Sequence, residues 1–498
     1  MRWTLKHQQA ITWTPEDCHT DDLEMAGFGC SDTVKYGTAE DGTLVLIHHP
    51  VFPTLRVRPN NTHASWQMDM PEGIALYCDG EKLREKPTKF RIDGVLHITS
   101  RAGDLQIHRT CYPAATARAS FEEIRITNDG TQSVSITTDT PQSRIVGETM
   151  GPMGVNVAEI THDFRSTSLA PGNVIRIVTQ FSGRLANEST PCLHADAELE
   201  KRRDRIRALT TPMAIDTGEA VLDALFTFSK LRAGESVFDT RYGKLHSPGG
   251  YSYYAATWCN DEVEYAGPYF AYTGDDALIE ASRNAYRMYI PFMSESYTPI
   301  PSSVIAEGLD YWNGAGDRGD AAMYLYGASR FFLTCGDPEA ARAYYPAILW
   351  CLEYCMRQKT AEGVIASDAD ELEGRFSHGA TNLNTSCLCH SGLLYCAILA
   401  DELGDTATAD RCRREAADLH RAIERVFGAE LHGMDTYRYH EGLTELRSWI
   451  CMPLCMRIFD RADGTAAALT SRYLLRGDGM LTAESSETIW DRSTLYAL

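Results

Sequence analysis

Positive charge is in short supply in this sequence: 47 Lys and Arg stand against 68 Asp and Glu, a formal charge of −21. That balance favours solubility and argues against a nucleic-acid or anionic-membrane partner. No run reaches the length of apolar chain that spans a bilayer, and the opening MRWTLKHQQAITWTPEDC has no apolar core of signal-peptide length. No P-loop and no GxGxxG occurs, which argues against nucleotide binding. There are 15 cysteines, yet no even, closely spaced framework of them. Spacings such as Cys351/Cys355 and Cys451/Cys455 are those of packing in helices, so free, largely buried thiols and a cytoplasmic setting are expected. Cys387-Leu388-Cys389-His390 has no second ligand pair at zinc spacing and lies in an apolar stretch. Neither a metal nor a cofactor is expected.

What is present is a globular composition, 44% hydrophobic and 10% aromatic over 498 residues, enough for two or three domains. Up to about residue 190 the pattern is that of strands. TLVLIHHPVF (43–52) is apolar and β-branched, and 94–112 holds two alternating runs around Gly103-Asp104. FEEIRITNDGTQSVSITTDT (121–140) reads as a hairpin turning at Asn128-Asp129-Gly130, and 171–183 as one more strand. Many short strands without intervening helices predict an antiparallel β-sandwich over 1–190. A charged helix at 196–211, with Leu199, Ile206 and Leu209 on roughly one side, fits a linker spanning 191–215.

From 216 the period becomes helical, punctuated by a recurring Gly-Asp turn in AYTGDDALIEA, FLTCGDPEAARA and DELGDTATADR. Glycine suits the left-handed residue that ends a helix, and aspartate caps the next. Such recurrence predicts stacked helix pairs with short turns on one rim and long polar loops on the other, an α/α toroid with a single active face over 216–498. Candidate helices fall near 218–234, 257–272, 276–293, 319–334, 338–359, 382–402, 406–426, 446–459, 464–474 and 488–498. A full toroid of six hairpins needs more, so the last hairpin is expected to be absent from this chain.

The long loops carry the chemistry. SDADELEGRF (367–376) gathers Asp368, Asp370, Glu371, Glu373 and Arg375. Clustered acids raise one another's pKa, as a proton donor near neutral pH requires. A solvated capping loop or a calcium site would use the same residues. Asp317-Arg318-Gly319-Asp320 sets a guanidinium between two carboxylates, suited to sugar hydroxyls or equally to a helix start. Trp312 beside it offers a flat face for a sugar ring. Trp258, Asn260 and Asp261 follow the Gly249-Gly250-Tyr251 turn, with Asp261 as a hydroxyl anchor or an ordinary acid at helical spacing from Glu264. Glu487, before Trp490-Asp491-Arg492, is with Glu484 the late loop acid available as a base, though SSET also reads as a helix start.

The order of β-sandwich, linker helix and helical toroid resembles the six-hairpin (α/α)6 glycosidases, among them glucoamylases, trehalases and processing glucosidases. Trp258-Cys259-Asn260-Asp261 resembles the Trp-x-Arg-Asp element that holds the −1 sugar, with asparagine in place of arginine. ASDADELEGRF resembles the Ser-Gly-x-Asp…Arg segment that carries the catalytic acid, with Asp368 in place of glycine and the Asp-to-Arg spacing one longer. The resemblance implies Glu371, with Asp370 close behind, as the acid and an oligosaccharide as the substrate. Its pocket would be formed partly by the sandwich, and an inverting, exo-acting hydrolase is expected, as a monomer or homo-oligomer. A glycoside phosphorylase shares the same order and would add basic residues, here Arg318, Arg375 and His378. A carbohydrate-binding protein without catalysis is the third reading. Lyases and epimerases place the toroid before the sheet, which argues against them.

Overall fold

A computed structural model describes residues 2–497 apart from 8–9, 60–61, 72, 248–249, 251–254 and 308–309. Gly249 and Tyr251 of the turn before Trp258 therefore lie outside the described residues. The chain forms two compact units. The first is Met1–Thr257 with Thr273–Ala281 and Ile305–Asp310; the second is Trp258–Tyr272 with Ser282–Val304 and Tyr311–Leu498.

The first unit is built on a nine-stranded antiparallel sheet. Its centre runs Lys86–Ile92, Leu96–Ala102, Leu105–Pro113, Ala119–Asn128, Val174–Leu185, Gly154–His162. Register decides what each face meets. Ile98, Arg109, Ile124 and Ile177 are cross-strand partners in turn, as are Leu96, Cys111, Glu122 and Thr179, and a period of two puts all of them on one face. That face packs against two four-stranded sheets. One contains Val134–Thr137 and Ser166–Leu169 and closes an Ile124/Ile126/Ile136/Leu169 core. The other contains Ser31–Thr38 and Leu44–Arg56 and closes a Trp13/Tyr36/Phe90/Ile98 core.

The expected hairpin at 121–140 does not form, because Ala119–Asn128 and Val134–Thr137 belong to different sheets. Asn128 makes the corner. Its side chain donates to the carbonyls of Gln132 and Leu169 and accepts from Gly130 N, so the chain crosses over the core instead of folding back beside itself.

The opposite face of the large sheet is covered by the helix Ala195–Thr210, whose Leu199 and Ile206 pack on Tyr112 and Phe121. The next helix, Ala220–Gly234, sends Phe228 into the Trp13/Phe90 core. Phe228 and the buried Leu231 tie this helix to the first unit, which extends well past 216.

In the second unit the long helices come in pairs: Asp320–Cys335 with Pro338–Arg357, and Leu383–Leu403 with Thr406–Phe427. Each pair is joined by the Gly-Asp turn read from the sequence. Gly336 and Gly404 are left-handed at φ +62° and +85°. Asp337 then accepts from Glu339 N and Ala340 N, and Asp405 from Thr408 N. Leu383–Leu403 is long and apolar enough to cross a membrane, but its apolar window is 83% buried inside the protein. Cys387 and Cys389 lie in that packing, and all fifteen cysteines are free. The later candidates are shorter than expected: a 3₁₀ turn and one α-turn over 448–455, then Ala462–Leu469 and Asp491–Ala497.

The stretch after Trp258 is not an ordinary helix. Cys259–Ala266 is a π-helix, a wide and uncommon form that recurs at functional sites. The helix Asp320–Cys335 passes it at Gly327, where an added Cβ would lie 1.8 Å from the Val263 carbonyl oxygen. Gly327→Ala gains about 1 kcal/mol of helix propensity against an overpacking cost of roughly 1–3 kcal/mol or more. We expect the clash to win and the urea midpoint to fall with m unchanged; a raised midpoint would mean the two backbones separate freely.

Candidate functional site

Four segments of the second unit converge: the π-helix, the loop before Asp320, the acidic loop 367–376 and the helix Asp491–Ala497. Arg318 is buried at the inner end. Its guanidinium donates to Asp320 Oδ1 at 2.8 Å, the Ser302 carbonyl at 3.3 Å, Asn260 Oδ1 at 3.4 Å and Glu373 Oε1 at 3.4 Å. Burial opposes its charge, but Asp320 more than offsets this and holds the arginine protonated. Trp258 lies under the guanidinium at 6.0 Å, and Trp312 meets Trp258 at 5.5 Å between ring centres.

Asn260 passes the chain of contacts on. Its Oδ1 accepts from Arg318 while its Nδ2 donates to Glu371 Oε2 at 3.4 Å. The same Glu371 oxygen accepts from Tyr265 Oη at 2.7 Å and Arg492 at 2.9 Å. Arg492 also pairs with Asp261 and lies 4.6 Å over the Tyr265 ring. The outer edge reaches solvent, with the side chains of Arg492 and Asp261 22% and 21% exposed, whereas that of Glu371 is 1% exposed.

Two carboxyl oxygens in this cluster have no partner: Glu371 Oε1 and Glu264 Oε2. Burial and the nearby Glu371 charge push the Glu264 carboxyl well above the usual range, and the Tyr496 hydroxyl donates to its other oxygen at 3.4 Å. Glu262 is also buried and raised, first by desolvation and then by Asp261, and accepts from Trp258 N. The site thus sets one carboxyl group bonded to a guanidinium beside one whose pKa is raised by burial. Two carboxyl groups in such different surroundings can give and take a proton in one reaction.

The structure joins Trp258, Asn260, Asp261, Trp312, Arg318, Asp320 and Glu371 in one network. Four candidate residues, Asp370, Arg375, Glu487 and Asp317, stand outside it. Asp370 is fully buried, accepting from Tyr439 Oη at 2.7 Å and Leu372 N at 2.9 Å, with Arg447 at 3.5 Å. Both of its carboxyl oxygens are thus engaged in shaping the loop that presents Glu371. Arg375 pairs with Glu373 at 2.9 Å on the surface. Glu487 is exposed, outside the network, and Glu484 is occupied by His432 and Leu446 N. Asp317 lies behind the site, accepting from Tyr354 Oη at 2.7 Å and Gly319 N at 2.8 Å.

Arg492, Tyr265 and Glu264 were the residues not assigned a role from sequence. Arg492 is the one basic residue of the last polar loop, 481–496, and an acidic site needs a cation, which is the signal that could have found it.

No protein-family model matches the sequence, and no curated protein does. Solved structures match its fold. A bacterial glucoamylase complexed with acarbose superposes with a TM-score of 0.52 at 10% identity, over 94% of this chain and 82% of that one. A protein described as a kojibiose phosphorylase from the human microbiome superposes with a TM-score of 0.54 at 8% identity, over 94% and 80%. The chain shares its fold with both. At these identities the likeness is one of fold, and any chemistry must be argued from the residues above.

Burial pushes the Asp317 carboxyl up to about 6 from 3.8, with Asp320 adding to the effect. An acid with a raised folded pKa binds its proton more tightly when folded, so stability is lost as pH rises from about 4 to about 6. The shift of roughly two units corresponds to at most about 3 kcal/mol. Urea unfolding across that window should show Asp317→Asn with a flatter profile than the wild type and a relative gain above pH 6. Parallel profiles would mean that Asp317 does not titrate there.

Proposed function

We propose that the chain is an enzyme acting on glycosidic bonds of an oligosaccharide, with Glu264 and Glu371 as its proton-handling pair. The carrying observation is the environment of those two groups: each has one unpartnered oxygen, Glu371 is bonded by Arg492 and Tyr265, and burial, with the nearby Glu371, raises the Glu264 carboxyl well above the usual range. Glu264 then gives its proton to the leaving oxygen, and Glu371 takes one from the attacking water on the opposite side, the division of labour of an inverting hydrolase. This reverses the role expected for Glu371 from its loop, because a carboxylate bonded to a guanidinium is a poor proton donor. Asp261 with Arg492, and Asp320 with Arg318, are fixed charge pairs suited to neighbouring sugar hydroxyls. Trp258 and Trp312 offer ring faces. In this reading the paired helices are successive hairpins of an (α/α)6 toroid, and the chain works on one end of an oligosaccharide.

Phosphorolysis is the second reading, favoured by one observation. Arg318 and Arg375 both reach Glu373, and the His378 ring stands 4.0 Å from where a Cβ on Gly374 would be. These are basic groups gathered where an inorganic phosphate could replace water.

Acarbose, bound by the glucoamylase of the same fold, is the first probe. It should raise the melting temperature of the wild type and not of Asp261→Ala. Glu371→Gln and Glu264→Gln should each lower turnover of oligosaccharides by a factor of roughly 10²–10⁴. Full activity in Glu264→Gln would remove the pair and return the acid role to Glu371. Product analysis with and without phosphate separates the two reactions: a free sugar in both buffers means hydrolysis, and a sugar phosphate formed only with phosphate means phosphorolysis.

A further inference from the structure

The loop that presents Glu371 runs on through Phe376-Ser377-His378-Gly379, and there a serine meets a histidine. Ser377 Oγ lies 2.8 Å from His440 Nε2. The other ring nitrogen, His440 Nδ1, lies 2.9 Å from the Glu441 carbonyl oxygen. A carbonyl can only accept, so in the neutral imidazole Nδ1 carries the proton and Nε2 is left as the acceptor. The Ser377 hydroxyl therefore donates to Nε2. That is the polarity of a nucleophile, its base and the group that orients the base, with a main-chain carbonyl in the third place.

Both partners are held by their main chain. The buried Arg447 donates to the Ser377 carbonyl at 2.7 Å, and its guanidinium lies 5.1 Å from the centre of the Phe376 ring and 4.3 Å from that of Tyr439. His440 follows Tyr439, whose carbonyl accepts from Leu383 N at 2.8 Å and whose hydroxyl donates to Asp370. Gly379, left-handed at φ +67°, backs onto the histidine so closely that an added Cβ would lie 2.8 Å from His440 Cβ. The reacting edge is open all the same: Ser377 is exposed and His440 half-buried. No acceptor among the described residues meets the amides of Ser377 and His378, which leaves the N–H of the nucleophile and the next one for a developing oxyanion.

We infer that Ser377 and His440 form a second catalytic site, for acyl transfer to water from a carboxylic ester with a short acyl group. His440 Nε2 takes the Ser377 proton as Oγ bonds to the acyl carbon. The ester C–O bond then breaks, and the leaving oxygen takes that proton from Nε2. Water attacks the acyl carbon while Nε2 accepts its proton, the bond from carbon to Oγ breaks, and the proton returns to Oγ. An alcohol and a carboxylic acid leave, and nothing but water and ester is consumed. The acyl group is short because an exposed nucleophile gives a long chain no wall to lie on. This chemistry needs neither Glu264 nor Glu371.

The test gives the full chain 4-nitrophenyl acetate and follows release of 4-nitrophenol. Ser377→Ala and His440→Ala should each lower the rate by a factor of roughly 10²–10⁴. His108→Ala, which removes an exposed imidazole of the sandwich, should keep the wild-type rate. Diisopropyl fluorophosphate should label the wild type at Ser377, located by peptide mass, and should not label His440→Ala there. Labelling of the wild type needs no variant to fold. A wild-type rate in Ser377→Ala or His440→Ala overturns the inference, as does a wild type left unlabelled at Ser377. Either result leaves the acarbose and oligosaccharide experiments untouched.

Discussion

Burying a carboxylate costs several kcal/mol unless a cation and hydrogen bonds meet it, and the helical unit is organised around that demand at Glu371. One oxygen of this group collects Arg492, Tyr265 and Asn260. Each donor comes with an obligation of its own. Arg492 needs Asp261 as a second anion, which ties the helix Asp491–Ala497 to the π-helix. Asn260 hands the contact to Arg318, which is neutralised by Asp320 and Glu373. Removing any one partner leaves a buried charge uncompensated, so the network is held together by the penalty for breaking it more than by the gain in making it.

The sandwich meets the same problem with a different geometry. Cross-strand register places Glu122 directly opposite Cys111 and Thr179, and two residues along the strands Arg109 lies opposite Ile98 and Ile124. All of these side chains face the core. A strand cannot turn a charged residue outward without reversing its neighbours, so Glu122 and Arg109 had to be paired where they stand. Arg202 shows the same economy on the helix-covered face, where Glu235 and the carbonyls of Gly94 and Ala26 receive its guanidinium.

Much of the fold was legible because its signals are local. The Gly-Asp turns specify φ and a cap within two residues, and the structure shows both at Gly336-Asp337 and Gly404-Asp405. The alternating strands at 94–112 are likewise a period-two pattern that needs no partner to be seen. The corner at Asn128 was misread because its sequence is that of a hairpin turn. Only the core shared by Ile126 and Ile136 decides that the chain crosses to another sheet. In the site, Trp258, Asn260, Asp261 and Arg318 were legible by type and loop placement. Sequence set Glu371 ahead of Asp370 only by its spacing to Arg375. Tyr439 and Arg447 claim Asp370, Tyr265 and Arg492 claim Glu371, and all four lie far away in the chain.

The asparagine at 260 follows from the same constraint. A Trp-x-Arg-Asp element would set a guanidinium at this position, beside Arg318 on one side and Arg492 on the other. Two fixed cations already stand there, and a third would repel both. An amide accepts from one arginine and donates to the shared carboxylate, as no arginine can. Arg492 takes over as the cation beside Asp261, carried in from the last helix instead of from the preceding residue. The amide at Asn260 and the guanidinium of Arg492 therefore meet on one oxygen of Glu371 although they lie far apart in the chain.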